Sequence, residues 1–217
     1  MAQKKRRKRS TKKQARGANK NRQIAIGVLI VGLILAAVAI FMLISKDASS
    51  GNSAADAGDV PGNLAVATLD GIQNAGAQPV QGKPAPNFAF RYPDGKTIAL
   101  ADYKGQPVIV NFWATWCPPC RREMPGLVKA YEAHKDDGLM IIEVDVGEPP
   151  ETVAPFVEEH KITMPVVLDQ RQEITRLYRT DSFPTSFFID KDGVIQARWV
   201  GYLPEDQLEL NLKKIMP

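Results

Sequence analysis

An uncharged apolar run at residues 24–44 most constrains how this chain can fold. It reads IAIGVLIVGLILAAVAIFMLI and contains no proline. A helix of this length, at about 1.5 Å per residue, spans roughly 30 Å, the thickness of the hydrocarbon core of a bilayer. A core helix of a globular protein rarely lacks a polar face. We therefore predict a single transmembrane helix at 24–44.

Positive charge is concentrated before this run. Residues 1–22 hold eleven of the 28 Lys and Arg residues and no Asp or Glu, which leaves 17 basic against 24 acidic residues in the rest of the chain. The pI of about 9.0 therefore describes a basic tail, and we expect no nucleic-acid partner. By the positive-inside bias, residues 1–23 form a cytoplasmic tail and the chain after Ser45 is extracytoplasmic. The predicted location is the cell membrane, with a single pass.

A cleaved signal peptide is the alternative to an anchor. The apolar region of a signal peptide usually has about 7–15 residues, and both the basic tail and the apolar run here are longer. Ala55-Asp56-Ala57 matches a small-residue cleavage pattern but lies well beyond the run. We favour an uncleaved anchor.

The segment 45–81 is predicted to be a flexible extracytoplasmic linker. Ser, Gly, Ala, Asn, Asp and Gln dominate it, and few large apolar residues are available for a core. A short helix near 63–73 is the alternative, because its apolar residues have partly helical spacing.

Residues 82–217 are predicted to form one α/β domain. Alternating and apolar runs predict strands at 88–92, 97–100, 107–113, 139–144, 165–168, 186–189 and 194–200. Helical patterns fall at 121–134, 151–160, 171–178 and after Pro204. The order favours a mixed central sheet with helices on both faces and an N-terminal β-hairpin extension. We expect a monomer.

The only two cysteines, Cys117 and Cys120, form a C-x-x-C pair between a strand and a helix. This spacing allows either a disulfide across the first helical turn or half of a metal site. A zinc site needs about four ligands. The two histidines, His134 and His160, are predicted at helix ends, where they can act as caps. We therefore expect no metal and no other cofactor.

The region around the dithiol resembles a known family. The run from Asn111 to Cys120, NFWATWCPPC, resembles the active-site strand and helix start of thioredoxins, and Phe183-Pro184-Thr185 resembles their cis-proline loop. Together with Val146-Gly147-Glu148 and the run from Pro165 to Asp169, the pattern is most similar to the membrane-anchored thiol-disulfide oxidoreductases of the TlpA/ResA type. The resemblance covers about residues 82–217 and implies a thioredoxin-like fold.

The resemblance and the helix start together assign roles to these residues. The unpaired amides at a helix N-terminus favour a thiolate, so Cys117 is expected to be an exposed nucleophile and Cys120 to resolve the mixed disulfide. Pro118 and Pro119 suit the first helical turn. Trp116 is expected to cover the dithiol. A cis Pro184 would leave the Phe183 backbone free to pair with a substrate strand.

One departure from thioredoxins concerns the proton. The buried acid usually found six residues before the first cysteine is replaced by Asn111, which cannot act as an acid or base. The resemblance to the ResA group points instead to Glu148. Our hypothesis is that Glu148 has a raised pKa and carries the proton of Cys120. A solvated loop acid is the alternative.

The family implies exchange with protein disulfides, as a reductant, with apocytochrome c cysteines as one possible substrate and a transmembrane thiol carrier as electron donor. A peroxiredoxin-like peroxidase is a second hypothesis. It is disfavoured because Val110 and Ala114 occupy the positions of its proline and hydroxyl residue. A tethered thiol-binding module that uses the dithiol as a soft ligand is the third.

Overall fold

The computed structural model describes residues 61–69, 74 and 77–216. The predicted cytoplasmic tail and transmembrane helix lie outside the described residues. Within the described part, no helix is long and apolar enough to cross a membrane. The elements in chain order are β1 (Leu64–Thr68), β2 (Ala89–Arg91), β3 (Thr97–Ala99), β4 (Val108–Trp113), α1 (Pro118–His134), β5 (Met140–Val146), α2 (Pro150–Glu159), β6 (Val166–Asp169), α3 (Glu173–Leu177), β7 (Thr185–Ile189), β8 (Ile195–Val200) and α4 (Glu205–Ile215).

One sheet contains all eight of these strands, in the order β3-β2-β1-β6-β5-β4-β7-β8. The four central strands, β1, β6, β5 and β4, run parallel to one another. The flanking pairs on both sides are antiparallel. The predicted mixed sheet and the N-terminal hairpin of β2 and β3 are therefore confirmed.

The prediction of a flexible linker at 45–81 is wrong for residues 64–68. These form β1, which pairs with β6 on one side and β2 on the other. Asn63 secures the strand by donating from its side chain to the carbonyls of Ile162 and Met164, at 2.8 and 2.9 Å. The alternative of a helix near 63–73 is wrong for residues 64–68 as well. The folded domain therefore begins before Gly82.

Helices cover both faces of the sheet, as predicted. Buried side chains of α1, α2 and α4 share one apolar cluster with Ile109 and Phe188, on one face of the sheet. The other face carries α3, through Ile174, together with the aromatic residues of β2 and the adjoining Phe88. The strand β4 is buried over its whole length, so the residues that follow it are held by a rigid central element.

Candidate active site

The two cysteines lie between β4 and α1 and form a disulfide. Cys117 is the N-cap of α1, and its Sγ accepts a hydrogen bond from the Cys120 amide at 3.3 Å. Pro118 and Pro119 occupy the first helical positions, where an amide hydrogen would have no partner within the helix. The local sequence thus begins the helix at the dithiol.

The start of α1 can stabilise a thiolate once the disulfide is reduced. Its free amides and the positive end of the helix dipole lie at Cys117, and its first turn contains no acidic residue. Arg121 and Arg122 come directly after Cys120 in α1. Their guanidinium groups lie over the rings of Phe156 and Tyr202, at 5.5 and 3.9 Å from the ring centroids. Two positively charged residues therefore follow the dithiol in the first turns of the same helix.

The prediction that Cys117 is exposed is wrong for this disulfide form. Cys117 is 3% exposed, and Cys120 is fully buried. The bond to Cys120 and the hydrogen bond from the Cys120 amide turn the Cys117 sulfur toward the helix, where both cysteines join the apolar cluster of α1. In the disulfide form, little of either cysteine is therefore open to a substrate.

The loop before β7 lies next to the dithiol segment. The Phe183–Pro184 peptide bond is cis, as predicted. The rings of Trp116 and Phe183 meet edge to face with centroids 6.3 Å apart, while Trp116 remains 63% exposed. Among the described residues, neither the amide nor the carbonyl of Phe183 takes part in a backbone–backbone hydrogen bond. This backbone is available to another chain.

Glu148 is buried and contacts the segment that precedes Cys117. Its carboxylate accepts hydrogen bonds from the Thr115 amide at 2.6 Å and from the Thr115 hydroxyl at 2.7 Å. Its own amide donates to Asp145 at 3.3 Å. Burial, followed by the hydrogen bond and charge of Glu148, raises the pKa of Asp145 to about 9. The structure thus joins the predicted V-G-E segment to Thr115, two residues before Cys117.

The sequence analysis missed Glu123, a buried carboxyl three residues after Cys120 on α1. Its Oε2 accepts a hydrogen bond from the Leu203 amide at 2.8 Å. Burial raises its pKa to about 8, against lowering by the Leu203 amide, Asn111 and Arg122. The signal was present, because residues three apart share one face of a helix.

A second missed carboxyl, Glu143, lies at the centre of β5. Asn111, at the predicted departure position, donates to Glu143 Oε2 at 2.9 Å and accepts from the Ser186 hydroxyl at 3.0 Å. Glu143 is fully buried, and this raises its pKa to about 8. Its signal in the sequence was an acid within an apolar strand, which also contains Asp145.

Both histidines lie at C-terminal helix ends, as predicted. His134 is the last residue of α1, and His160 follows α2, with Nδ1 3.1 Å from the Phe156 carbonyl oxygen. The His160 ring also stacks on the Phe156 ring, with centroids 3.9 Å apart. Among the described residues, no group of three or more His, Cys, Asp or Glu side chains is placed to hold a metal ion.

A cysteine pair at a helix start, next to a cis-proline loop on a mixed sheet, defines a thioredoxin-like redox protein. Comparison with known proteins then specifies the family. The model of the AhpC/TSA family matches residues 81–198, so the chain belongs to this family. The resemblance to ResA-type proteins is also confirmed, and the chain is a thiol-disulfide oxidoreductase.

Two relatives and one solved structure illustrate the similarity. Thiol-disulfide oxidoreductase ResA of Bacillus thuringiensis (strain Al Hakam) is 43% identical over 136 residues, which cover 63% of this chain and 79% of the relative. ResA of Bacillus subtilis (strain 168) is 35% identical over 137 residues, covering 63% of this chain and 76% of the relative. A thiol:disulfide interchange protein of Chlorobium tepidum TLS has 30% identity and a TM-score of 0.57, covering 64% of this chain and 99% of that one.

Proposed function

We propose that this protein is a membrane-anchored, extracytoplasmic enzyme that reduces disulfides in other proteins through Cys117 and Cys120. The observation that carries the proposal is the Cys117–Cys120 disulfide at the start of α1, with the cis-proline loop beside it. The membrane anchor rests on the apolar run at 24–44 and the basic tail before it. The names of the relatives support the chemistry.

Reduction of a substrate proceeds by two exchange steps. The Cys117 thiolate attacks one sulfur of the substrate disulfide, forms a mixed disulfide and releases the first substrate thiolate. Cys120 then loses its proton and attacks the Cys117 sulfur. The Cys117–Cys120 bond forms, the mixed disulfide breaks, and the second substrate thiolate leaves. The substrate gains two electrons and the enzyme loses two.

The Cys117–Cys120 disulfide is reduced again by the reverse of these two steps, with a donor dithiol in place of the substrate. A donor thiolate attacks Cys117, the bond to Cys120 breaks, and Cys120 leaves as a thiolate that needs a proton. A second donor thiolate then attacks the donor sulfur of this mixed disulfide, and Cys117 leaves as a thiolate. We propose that Glu123 supplies the proton to Cys120 during recharging and takes it back during substrate reduction, because it lies one helical turn beyond Cys120. A carboxyl whose pKa is about 8 can serve in both directions near neutral pH.

Glu148 remains the second candidate for this proton. Both of its oxygens accept hydrogen bonds from Thr115, and we propose that its main effect is to hold the Thr115–Trp116 segment in place ahead of Cys117. The resemblance assigned this proton to Glu148. If a Glu148→Gln variant, with Glu123 intact, lost proton transfer to Cys120, that assignment would be correct.

The substrate is proposed to bind at Phe183 and Trp116. The unpaired Phe183 backbone can add a substrate segment as an extended strand. The exposed Trp116 ring, packed against Phe183, supplies apolar contact beside the dithiol. The family resemblance favours apocytochrome c cysteines as the substrate and a transmembrane thiol carrier as the electron donor.

The test combines redox equilibrium with trapping. The full chain in detergent is equilibrated with glutathione buffers and then mixed with a disulfide-containing protein such as insulin. We expect reversible interconversion of dithiol and disulfide, a potential near the −270 mV of thioredoxin, and accumulation of a mixed disulfide in Cys120→Ser but not in Cys117→Ser. A potential near −120 mV would contradict a reductant, and failure to interconvert would contradict the exchange activity altogether.

Location is tested separately from chemistry. A thiol reagent that cannot cross membranes is added to intact cells that express Cys120→Ser, which retains one free thiol. Labelling of Cys117 without cell lysis is expected, and labelling only after lysis would contradict an extracytoplasmic domain.

A further inference from the structure

A row of polar side chains crosses three strands beneath the active-site helix. Strand register places Asn111 of β4 beside Glu143 of β5 on one side and Ser186 of β7 on the other. Since side chains alternate between sheet faces, these three share the face of Ile109 and Ile141, which belong to the apolar cluster of α1. We call Ser186, Asn111 and Glu143 the polar row.

Glu123 is a buried residue of α1 on the same face of the sheet as the polar row. Its helix neighbours Cys120 and Met124 share one apolar cluster with Ile109 and Trp113, the residues of β4 on either side of Asn111 on that face. One oxygen of each carboxyl has a hydrogen-bond donor, from Leu203 for Glu123 and from Asn111 for Glu143. The Oε1 atom of each acid is buried without a partner among the described residues. An ionised carboxylate in such a place is costly.

We propose that Glu143 is a positioning residue that forms a coupled acid pair with Glu123 across Asn111 and keeps its own proton while Glu123 exchanges one with Cys120, so that the pair holds at most one negative charge beneath the dithiol. This inference rests on the proposed function. Asn111 stands where thioredoxins usually carry a buried acid, and Glu143 of the neighbouring strand β5 places a carboxyl beside that position. Glu143 acts through Glu123, since the side-chain hydrogen bond that it makes within the described part of the chain is with Asn111 and not with a cysteine.

The chemistry of the pair follows from charge repulsion. Burial, and in addition the charge of an ionised Glu123, raises the pKa of Glu143, so Glu143 keeps its proton while Glu123 is charged. When Cys120 gives its proton to Glu123, that proton moves from sulfur to oxygen and Glu143 keeps its own. The pair therefore carries at most one negative charge beneath the dithiol near neutral pH, which limits repulsion of the Cys120 thiolate.

Other charges around the pair are few. Arg122 of α1 is the charged group that acts on Glu123, and Glu123 is the one that acts on Glu143. Asp145, two residues further along β5, interacts with Glu148 and Asp169. On the far side of Glu143, β6 places the apolar Val166. Only Arg122 among these favours ionisation.

The test follows the two carboxyls directly in the full chain in detergent. Glutamate is labelled with ¹³C at the carboxyl, and infrared spectra of the disulfide form are recorded from pH 5 to 10. Wild type is expected to retain two protonated glutamates at pH 6 and to lose them in two steps separated by about one pH unit or more. Glu123→Gln is expected to show one step, that of Glu143, at lower pH than the second step of wild type, because the charge of Glu123 is gone. Glu143→Gln is expected to show one step, that of Glu123, close to the first step of wild type.

Two controls separate titration from structure. Ser186→Ala disturbs the polar row without removing an acid and should keep both steps, whereas exposed Glu159→Gln should match wild type. The proposal is overturned if wild type has no protonated glutamate at pH 6, if Glu123→Gln leaves the Glu143 step unmoved, or if Ser186→Ala reproduces the single step. The first of these outcomes needs no variant to fold.

Failure of this inference differs from failure of the proposed function. The infrared titration uses the disulfide form and needs no exchange activity. In the same variants, the pH profile of mixed-disulfide resolution should depend on two ionisations in wild type and on one in Glu143→Gln. Active enzyme with identical profiles in both would overturn the coupled pair while leaving the exchange function intact.

Discussion

Thr115 donates two hydrogen bonds to the Glu148 carboxylate, from its amide at 2.6 Å and from its hydroxyl at 2.7 Å. These two bonds connect Glu148, in the loop after β5, to Thr115, which lies two positions before Cys117. A carboxylate that follows β5 thus binds the segment that leads from β4 to Cys117.

Glu148→Gln is expected to weaken this tie. A neutral amide has one acceptor oxygen in place of two, and a hydrogen bond to a charged group contributes about 1.5–3 kcal/mol. We expect a loss of stability of that order in urea unfolding and slower attack by Cys117. The exposed Glu151→Gln is the control. Thr115→Val should reproduce part of the effect, and a fully stable Glu148→Gln would contradict it.

Asp145 predicts a pH dependence of stability. Burial, with the hydrogen bond and charge of Glu148, raises its folded-state pKa from 3.8 to about 9. Between these values the folded state binds more protons than the unfolded state, so stability falls as pH rises, by at most about 1.4 kcal/mol per pH unit. The effect is complete above about pH 9.

Asp145→Asn removes that titration. Its free energy of unfolding should therefore exceed that of wild type by more at pH 8 than at pH 5, measured by urea unfolding of the oxidised protein. The exposed Asp181→Asn should give the same difference at both pH values. A parallel pH dependence of wild type and Asp145→Asn would show that Asp145 is ionised throughout.

Trp116→Ala tests the docking surface. Trp116 is 63% exposed, and truncation of an aromatic residue at an interface typically costs more than 1 kcal/mol. We expect KM for a protein disulfide to rise about tenfold while kcat and the thiol titration change little. Leu210→Ala, which removes a half-exposed side chain on α4, is the control. A fall in kcat alone would place Trp116 in the chemistry.

Removal of β1 tests the corrected domain boundary. A chain beginning at residue 61 is expected to unfold cooperatively, because it keeps β1 between β2 and β6. A chain beginning at residue 82 lacks this strand and exposes the edges of two others, so loss of cooperative unfolding and aggregation are expected. Equal thermal melting of the two chains would show that β1 contributes nothing to the fold.

Local pattern was sufficient for much of the fold. The strands from β2 to β8 and the four helices lie where apolar periodicity predicts them, because each buries its own regular stripe of side chains. The exception is β1. Only Leu64 and Ala65 of this strand are almost fully buried, so its apolar signal is short. Its hydrogen-bond partners lie far away in the sequence, and pairing with them decides the conformation.

The sequence by itself determined the chemistry: two cysteines two residues apart, prolines suited to a helix start, and a proline loop that resembles a known partner of the dithiol. Only the tertiary structure decided where the protons are held. Glu123 and Glu143 look like ordinary acids in the sequence, but folding brings them to Asn111 in a buried layer. There the loss of water raises the pKa of each to about 8, because desolvation depends on neighbours that only the assembled sheet and helix supply.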